Sequence, residues 1–322
     1  MATENQRTAP SAQRGLSFID PPALMRIKNL QMRAKVIVEG FYAGIHRSPY
    51  HGFSVEFSEY RQYSPGDDLR YLDWRLLART DRHYVKRFED ETNLLCYLLV
   101  DTSRSMAFQA GGVSKHEYAR TLAATMGYFL YLQRDAVGLA VFDEVIREYL
   151  PPRRRAGHLR HLMAALQRQP DGMGTNVAEP LEQVARSVKK RGLVVLISDL
   201  IAPTDLLKRQ VAYLRSRGHE MIILRVLDPA ELAFSFDDAR IFHDLESGKK
   251  LYIDPDVAKR KYLDAFQSHA ATLSQDCKEL GVELVVCPTD RPLELSLFDL
   301  LRTRLERGRT PARNDRIARR AR

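Results

Sequence analysis

Leu94-Leu95-Cys96-Tyr97-Leu98-Leu99-Val100-Asp101-Thr102-Ser103-Arg104-Ser105 joins seven consecutive apolar residues to a short loop of a carboxylate and hydroxyls. A strand with one wet face would alternate, so an unbroken apolar run of this length predicts a strand covered on both faces. Downstream, Tyr118, Leu122, Met126 and Phe129 recur at helical spacing and predict a helix from about Lys115 to Gln133. Ala136–Phe142 reads as a second strand, and Val145–Leu150 as its hairpin partner. Short helices follow near His158–Leu166 and through Val177, Leu181, Val184 and Val188. The second is expected to end at Lys189-Lys190-Arg191-Gly192, where basic residues and glycine suit a helix C-terminus. Leu193–Ile197 and Met221–Val226 are further strands, separated by a helix Thr204–Arg217 that opens with Thr204 as its cap and stops at Gly218. Ile241–Ile253 reads as a β insertion, followed by a long helix Ala258–Leu280, a strand Val282–Cys287 and a last helix Leu293–Leu305. Strands alternating with helices predict an α/β fold: a doubly wound, mostly parallel sheet with helices on both faces.

Ahead of this region the rhythm differs. Residues 1–20 are polar and aperiodic, and Leu24–Val38 predicts a short helix. From about Gly40 to Glu91, short alternating runs such as Phe53, Val55 and Phe57 lie between turn signals such as Ser64-Pro65-Gly66, and Tyr84–Phe88 reads as a strand. The expected organisation is a disordered or helical segment 1–39, a small β-rich subdomain 40–91, the α/β domain 92–305 and an Arg-rich tail 306–322. The formal charge of +9 belongs mostly to the end of the chain, because nine arginines in residues 302–322 face only Glu306 and Asp315. The body is therefore nearly neutral. The three cysteines, Cys96, Cys277 and Cys287, have neither metal spacing nor an even count, and read as reduced, buried thiols of a cytoplasmic protein. The opening MATENQRTAP has no charged segment leading into an apolar core, so no secretory signal is expected.

Three ends of predicted elements on one sheet edge are chemically unusual. The first strand ends in Asp101, Ser103 and Ser105; Gly172-Met173-Gly174-Thr175-Asn176 precedes a helix; the third strand ends in Ser198-Asp199. In open α/β sheets, ligands sit outside the carboxyl ends of the strands. Asp101, Ser103, Ser105, Thr175 and Asp199 supply hard oxygen donors with no His or Cys among them, a set that suits Mg2+, with Mn2+ or Ca2+ as alternatives, and not Zn2+. Two carboxylates leave a divalent ion near neutral, and neutral hydroxyls leave it able to accept one more anionic oxygen. The competing reading is that Asp101 with its serines, and Asp199, only cap helices.

This ordered trio resembles the metal-ion-dependent adhesion site of von Willebrand factor A domains, an Asp-x-Ser-x-Ser loop followed by a Thr and an Asp. The segment Arg61-Gln62-Tyr63-Ser64-Pro65-Gly66-Asp67-Asp68-Leu69-Arg70-Tyr71-Leu72-Asp73-Trp74, with Ala78-Arg79 and Tyr84–Glu89, is similar to the signature of the "domain of unknown function 58" family, a bacterial group of von Willebrand factor A-like proteins. The resemblance spans roughly residues 40–305. It implies a non-enzymatic interaction module in which the metal captures a partner's carboxylate, and a partner class, MoxR-type AAA+ ATPases, that assists protein maturation or complex assembly. Relatives often carry transmembrane helices ahead of this region, and no such span is expected here. From the residues themselves, the dense Arg and Asp/Glu mixture around Trp74 is either a docking face or an ion-pair lattice that pins the small subdomain, and the lattice is preferred.

Rival chemistries find less support. No Gly-x-x-x-x-Gly-Lys-Ser/Thr loop exists, so ATP binding by a P-loop is not expected. A phosphatase of the haloacid dehalogenase type needs an Asp where Ser103 stands, which argues against a metal-dependent phosphoesterase, and no Gly-x-Ser-x-Gly elbow is present. His158 and His161 read as an exposed helix face, and His46 and His51 lack a triad partner. The Arg-rich tail leaves nucleic-acid or anionic-surface binding as an alternative, though it has no aromatic residues to stack on bases.

Overall fold

The structure, a computed structural model, describes residues 19–47, 60–62, 84–86, 94–155, 157–168, 178–188, 190–234, 240–243, 250–253 and 255–297. It divides into two compact units, one of residues 1–44 and 94–322, the other of residues 45–93. Within the second unit, β1 (Tyr60–Gln62) and β2 (Tyr84–Lys86) pair antiparallel. The expected alternation at Phe53–Phe57 and the charged segment around Trp74 lie outside the described residues, as does the tail.

The first unit opens with α1 (Pro21–Met25) and α2 (Leu30–Arg47) where the sequence predicts one helix. Each has its own start signal. The Asp20 carboxylate accepts the Ala23 N–H, and the Asn29 side chain accepts that of Met32. The second helix runs on through Gly40, where the β-rich stretch was expected to begin; a single glycine inside a helix weakens it without ending it.

The chain then alternates as the apolar runs predict: β3 (Leu95–Asp101), a 3-10 turn (Arg104–Ala107), α3 (Lys115–Leu132), β4 (Ala136–Phe142), β5 (Ile146–Arg153), α4 (His158–Gln167), α5 (Ala178–Ser187), β6 (Leu193–Ser198), α6 (Thr204–Ser216), β7 (Glu220–Leu227), α7 (Pro229–Ala233), β8 (Arg240–His243), β9 (Lys250–Ile253), α8 (Pro255–Glu279) and β10 (Glu283–Pro288). Six strands form one sheet in the order β10-β7-β6-β3-β4-β5, parallel except for the antiparallel edge strand β5. Pro151 and Pro152 are tolerated in β5 because an edge strand need not donate on both sides. The insertion is a separate hairpin, β8 against β9. Residues 293–297 are helical, and the remainder of the expected last helix lies outside the described residues.

Both faces of the sheet are covered, which is why its central strands are apolar throughout. Tyr97 and Leu99 of β3 pack with Leu181 and Val184 of α5, Leu207, Val211 and Leu214 of α6, and Leu273 and Cys277 of α8. On the opposite face α3 lies so close that a Cβ at Gly127 would stand 3.3 Å from Leu162 of α4 and 3.7 Å from Leu98 of β3. Phe41 of α2 meets Phe129 of α3 edge to face at 5.7 Å. The fold is thus the expected doubly wound α/β architecture, a mostly parallel sheet with helices on both faces. Cys96, Cys277 and Cys287 are all buried thiols. No described helix is long and apolar enough to cross a membrane.

Some local expectations fail for identifiable reasons. Thr204 is the first residue of α6 and not its cap; Pro203 precedes it in an extended conformation with no side-chain hydrogen bond. Helix α5 stops at Ser187, short of the basic run at 189–191. The ring of His158 is not on an exposed face, because its Nε2 lies 2.7 Å from the Val137 carbonyl.

Candidate metal centre

Strand β3 continues through β4 to β5 on one side of the sheet, whereas β6 and β7 lie on its other side. The sheet therefore changes winding direction between β3 and β6, the crevice where doubly wound folds bind ligands. Val100 pairs with Ile197 in parallel register, so Asp101 and Ser198-Asp199 emerge side by side at the carboxyl edge.

Asp101 and Asp199 are both fully buried. The Asp101 carboxylate accepts the Ser103 N–H at 2.8 Å on one oxygen and the Ser198 hydroxyl at 2.6 Å on the other. The Ser198 oxygen in turn accepts the Leu200 N–H at 3.0 Å. That bond helps hold Leu200 at φ +55°, a left-handed conformation that a branched apolar residue rarely adopts. The turn after Asp199 is thus held in strain beside the crevice. Ser103 and Ser105 place their hydroxyl oxygens 3.1 Å apart. Ser103 precedes the 3-10 turn without capping it, so the loop is not explained as a helix cap. Thr175 lies outside the described residues.

Burial, and then the charge of Asp199, push the Asp101 carboxyl up to about 6. Two carboxylates repelling each other out of water form an arrangement that a cation relieves. With the serine hydroxyls on the same loop, the donor set fits a hard divalent ion. Asp101, Ser103, Ser105 and Asp199 are the described residues that would hold it.

One cation is already present, and the sequence reading missed it. Lys115, the first residue of α3, is completely buried; its Nζ lies 2.8 Å from Asp199 Oδ2 and 2.7 Å from Glu231 Oε1. It also stands over the Phe108 ring, 5.6 Å from the centroid. Burial pulls its proton affinity down, but Asp199 and Glu231 outweigh this and the net shift is upward, so the ammonium stays charged. A second buried cation, Arg225 of β7, donates Nε–H to the Asp199 carbonyl at 3.1 Å and lies 5.0 Å from the Phe266 ring centroid.

Glu231 belongs to a fourth strand end that the sequence reading passed over. After β7, the Asp228 carboxylate accepts the Ala230 N–H at 2.8 Å, and Glu231 accepts the Asp228 N–H at 2.9 Å, a capping box that starts α7. The other Asp228 oxygen accepts the Ala110 N–H at 3.1 Å, which ties this end to the loop following Ser105. Two signals for these residues were present in the chain. Asp228-Pro229-Ala230-Glu231 has the capping-box spacing, and a lysine in the first turn of a helix opposes the helix dipole unless an anion faces it. Among these described side chains, the four carboxylates Asp101, Asp199, Asp228 and Glu231 outnumber the two cations, Lys115 and Arg225.

Residues 59–275 match the family described as "Protein of unknown function DUF58". Uncharacterized proteins of Mycobacterium tuberculosis and Mycobacterium bovis are each 27% identical over 287 residues, which covers 88% of this chain and 89% of theirs. Among solved structures, BatB of Bacteroides thetaiotaomicron is similar at 16% identity with a TM-score of 0.45, over 66% of this chain and 99% of that one. The VWA domain of SpRpn10 is similar at 13% identity with a TM-score of 0.38, over 64% and 94%.

Proposed function

The chain belongs to the DUF58 family, and on that premise we propose that it is a non-enzymatic interaction module whose divalent ion captures an acidic side chain of a protein partner. The observation that carries this reading is the pair of fully buried carboxylates, Asp101 and Asp199, side by side at the winding switch of the sheet, with the Ser103 and Ser105 hydroxyls on the same loop. Hard oxygens of this kind hold Mg2+, Mn2+ or Ca2+, and an octahedral ion with part of its shell in water accepts one further carboxylate. When bound, the ion supplies an electrophilic contact for that carboxylate. Asp101 and Asp199 neutralise the ion, the serines orient it, and the Ser198 hydroxyl fixes the rotamer of Asp101. Thr175 is proposed as a fifth contributor, on its sequence position.

The family resemblance points to a MoxR-type AAA+ ATPase, or one of its clients, as the partner, and to a place in protein maturation or complex assembly. The test is a pull-down by the full chain in Mg2+ against chelator, with Asp101→Ala as control. The expected result is an ATPase retained only with metal and lost in the variant, whose fold is intact by circular dichroism. Full Mg2+-dependent retention by Asp101→Ala would sink the reading.

A further inference from the structure

We propose that Lys115 is an internal cation that competes with the divalent ion for Asp199, so that the centre is closed by an ammonium in the metal-free protein and opens when Lys115 withdraws onto Glu231. This rests on the metal reading above and concerns what the site does without its ion.

Lys115 is a built part of the edge, not a surface charge that has drifted inward. Its side chain has no exposure, and its Nζ touches both Asp199 and Glu231 within 2.8 Å. Its backbone is anchored as well, since its N–H donates to the Phe108 carbonyl at 3.3 Å. The position is one where a helix dipole disfavours positive charge, so the facing carboxylates must offset both that and the desolvation of the ammonium. A divalent ion bound through Asp199 would share that buried carboxylate with the ammonium, and two cations so close repel strongly where little water screens them. Glu231 offers the alternative partner. Its second oxygen is fixed by the Asp228 N–H at 2.9 Å, so it stays in place whichever cation Asp199 holds. Lys115 thus has a second anchorage that does not depend on the metal-binding carboxylates. Its neighbours then set how tightly the ion is held and stabilise the protein while the ion is absent.

The experiment is a titration of the full chain with Mn2+ alone, read by electron paramagnetic resonance of free Mn2+ and by isothermal calorimetry. It compares the wild type with Lys115→Met, Lys115→Gln and Glu231→Gln. Removal of the competing charge is expected to tighten Mn2+ binding by roughly tenfold in both Lys115 variants. Glu231→Gln is expected to weaken it, because Lys115 is then left with Asp199 alone. A purely structural lysine predicts the opposite sign for its own variants, since a loosened site binds less well. Lys115→Gln keeps a donor for both carboxylates, so the sign can be read even where Lys115→Met folds only with Mn2+ present. Unchanged or weaker binding in both Lys115 variants overturns the proposal and leaves the metal reading intact. Absence of Mn2+ binding in all four proteins removes both.

Discussion

Two buried clusters in this unit pair a cation with carboxylate, and they are built to different ends. In the first, Arg33 of α2 donates to Glu117 and to Thr121 at 2.8 Å, and its remaining N–H groups reach the carbonyls of Ile27 and Met25. Its planar fork is filled, Glu117 is partly exposed and also paired with Arg120, and no carboxylate is left over. In the second, the ammonium of Lys115 stands between Asp199 and Glu231, while Asp101 beside them has hydrogen bonds but, among the described residues, no ion pair. A cluster with no carboxylate in excess, its Arg33 fork filled, pins two helices together. An unbalanced one, at a strand edge where the winding reverses, retains a demand for positive charge.

The widest separation between the clusters is expected from removing each cation. Lys115→Met leaves the buried Asp199 and the largely buried Glu231 without an ammonium and is expected to destabilise the metal-free protein by about 3–5 kcal/mol, with much of the loss recovered by Mn2+. Urea unfolding with and without Mn2+ measures this. Arg33→Met, whose carboxylate keeps some water and a second arginine, is expected to cost about 2 kcal/mol and to respond to Mn2+ no more than the wild type does. Equal metal rescue of the two variants would erase the distinction.

The pH dependence sharpens it further. Asp101 titrates near 6 in the folded, metal-free protein, above its value of 3.8 in an open chain. A carboxyl raised on folding binds its proton more tightly in the native state, so its contribution is fully present below about 4 and is lost as pH rises to about 6. The loss is on the order of 3 kcal/mol. Asp101→Asn is expected to flatten stability between those limits, as followed by thermal unfolding in chelator across the range. A variant that keeps the wild-type slope there would assign it to another group. The smallest effect belongs to the Arg33 cluster: Thr121→Val removes one hydroxyl from the Arg33 fork and is expected to cost about 1 kcal/mol at any metal concentration.

Much of this contrast was legible along the chain, though unevenly. The run Leu94–Val100 ends in Asp101, and Leu193–Ile197 ends in Ser198-Asp199; apolar residues that must bury both faces announce a central strand, and the first polar residue marks its end. Lys115 was legible only as a helix start. Its place opposite Asp199 depends on α3 crossing the sheet near Gly127 and on β7 lying next to β6, and neither is a local property. Glu231 was hidden for the same reason, although its capping box was written in four consecutive residues. The split between α1 and α2 was missed because Asn29 competes with the backbone for a hydrogen bond, a local choice that hydrophobic spacing does not register.

The sequence by itself determined which segments are strands and helices, that the sheet is buried on both sides, and that hard oxygens gather at its carboxyl edge. Those features follow from burial and from side-chain chemistry, which every residue carries with it. The tertiary structure alone decided the strand order that sets the winding switch between β3 and β6, and hence which carboxylates face each other there. It alone placed Lys115 on Asp199. Charge balance at a buried site is a property of neighbours in space, and residues 115, 199 and 231 become neighbours only when the sheet is wound.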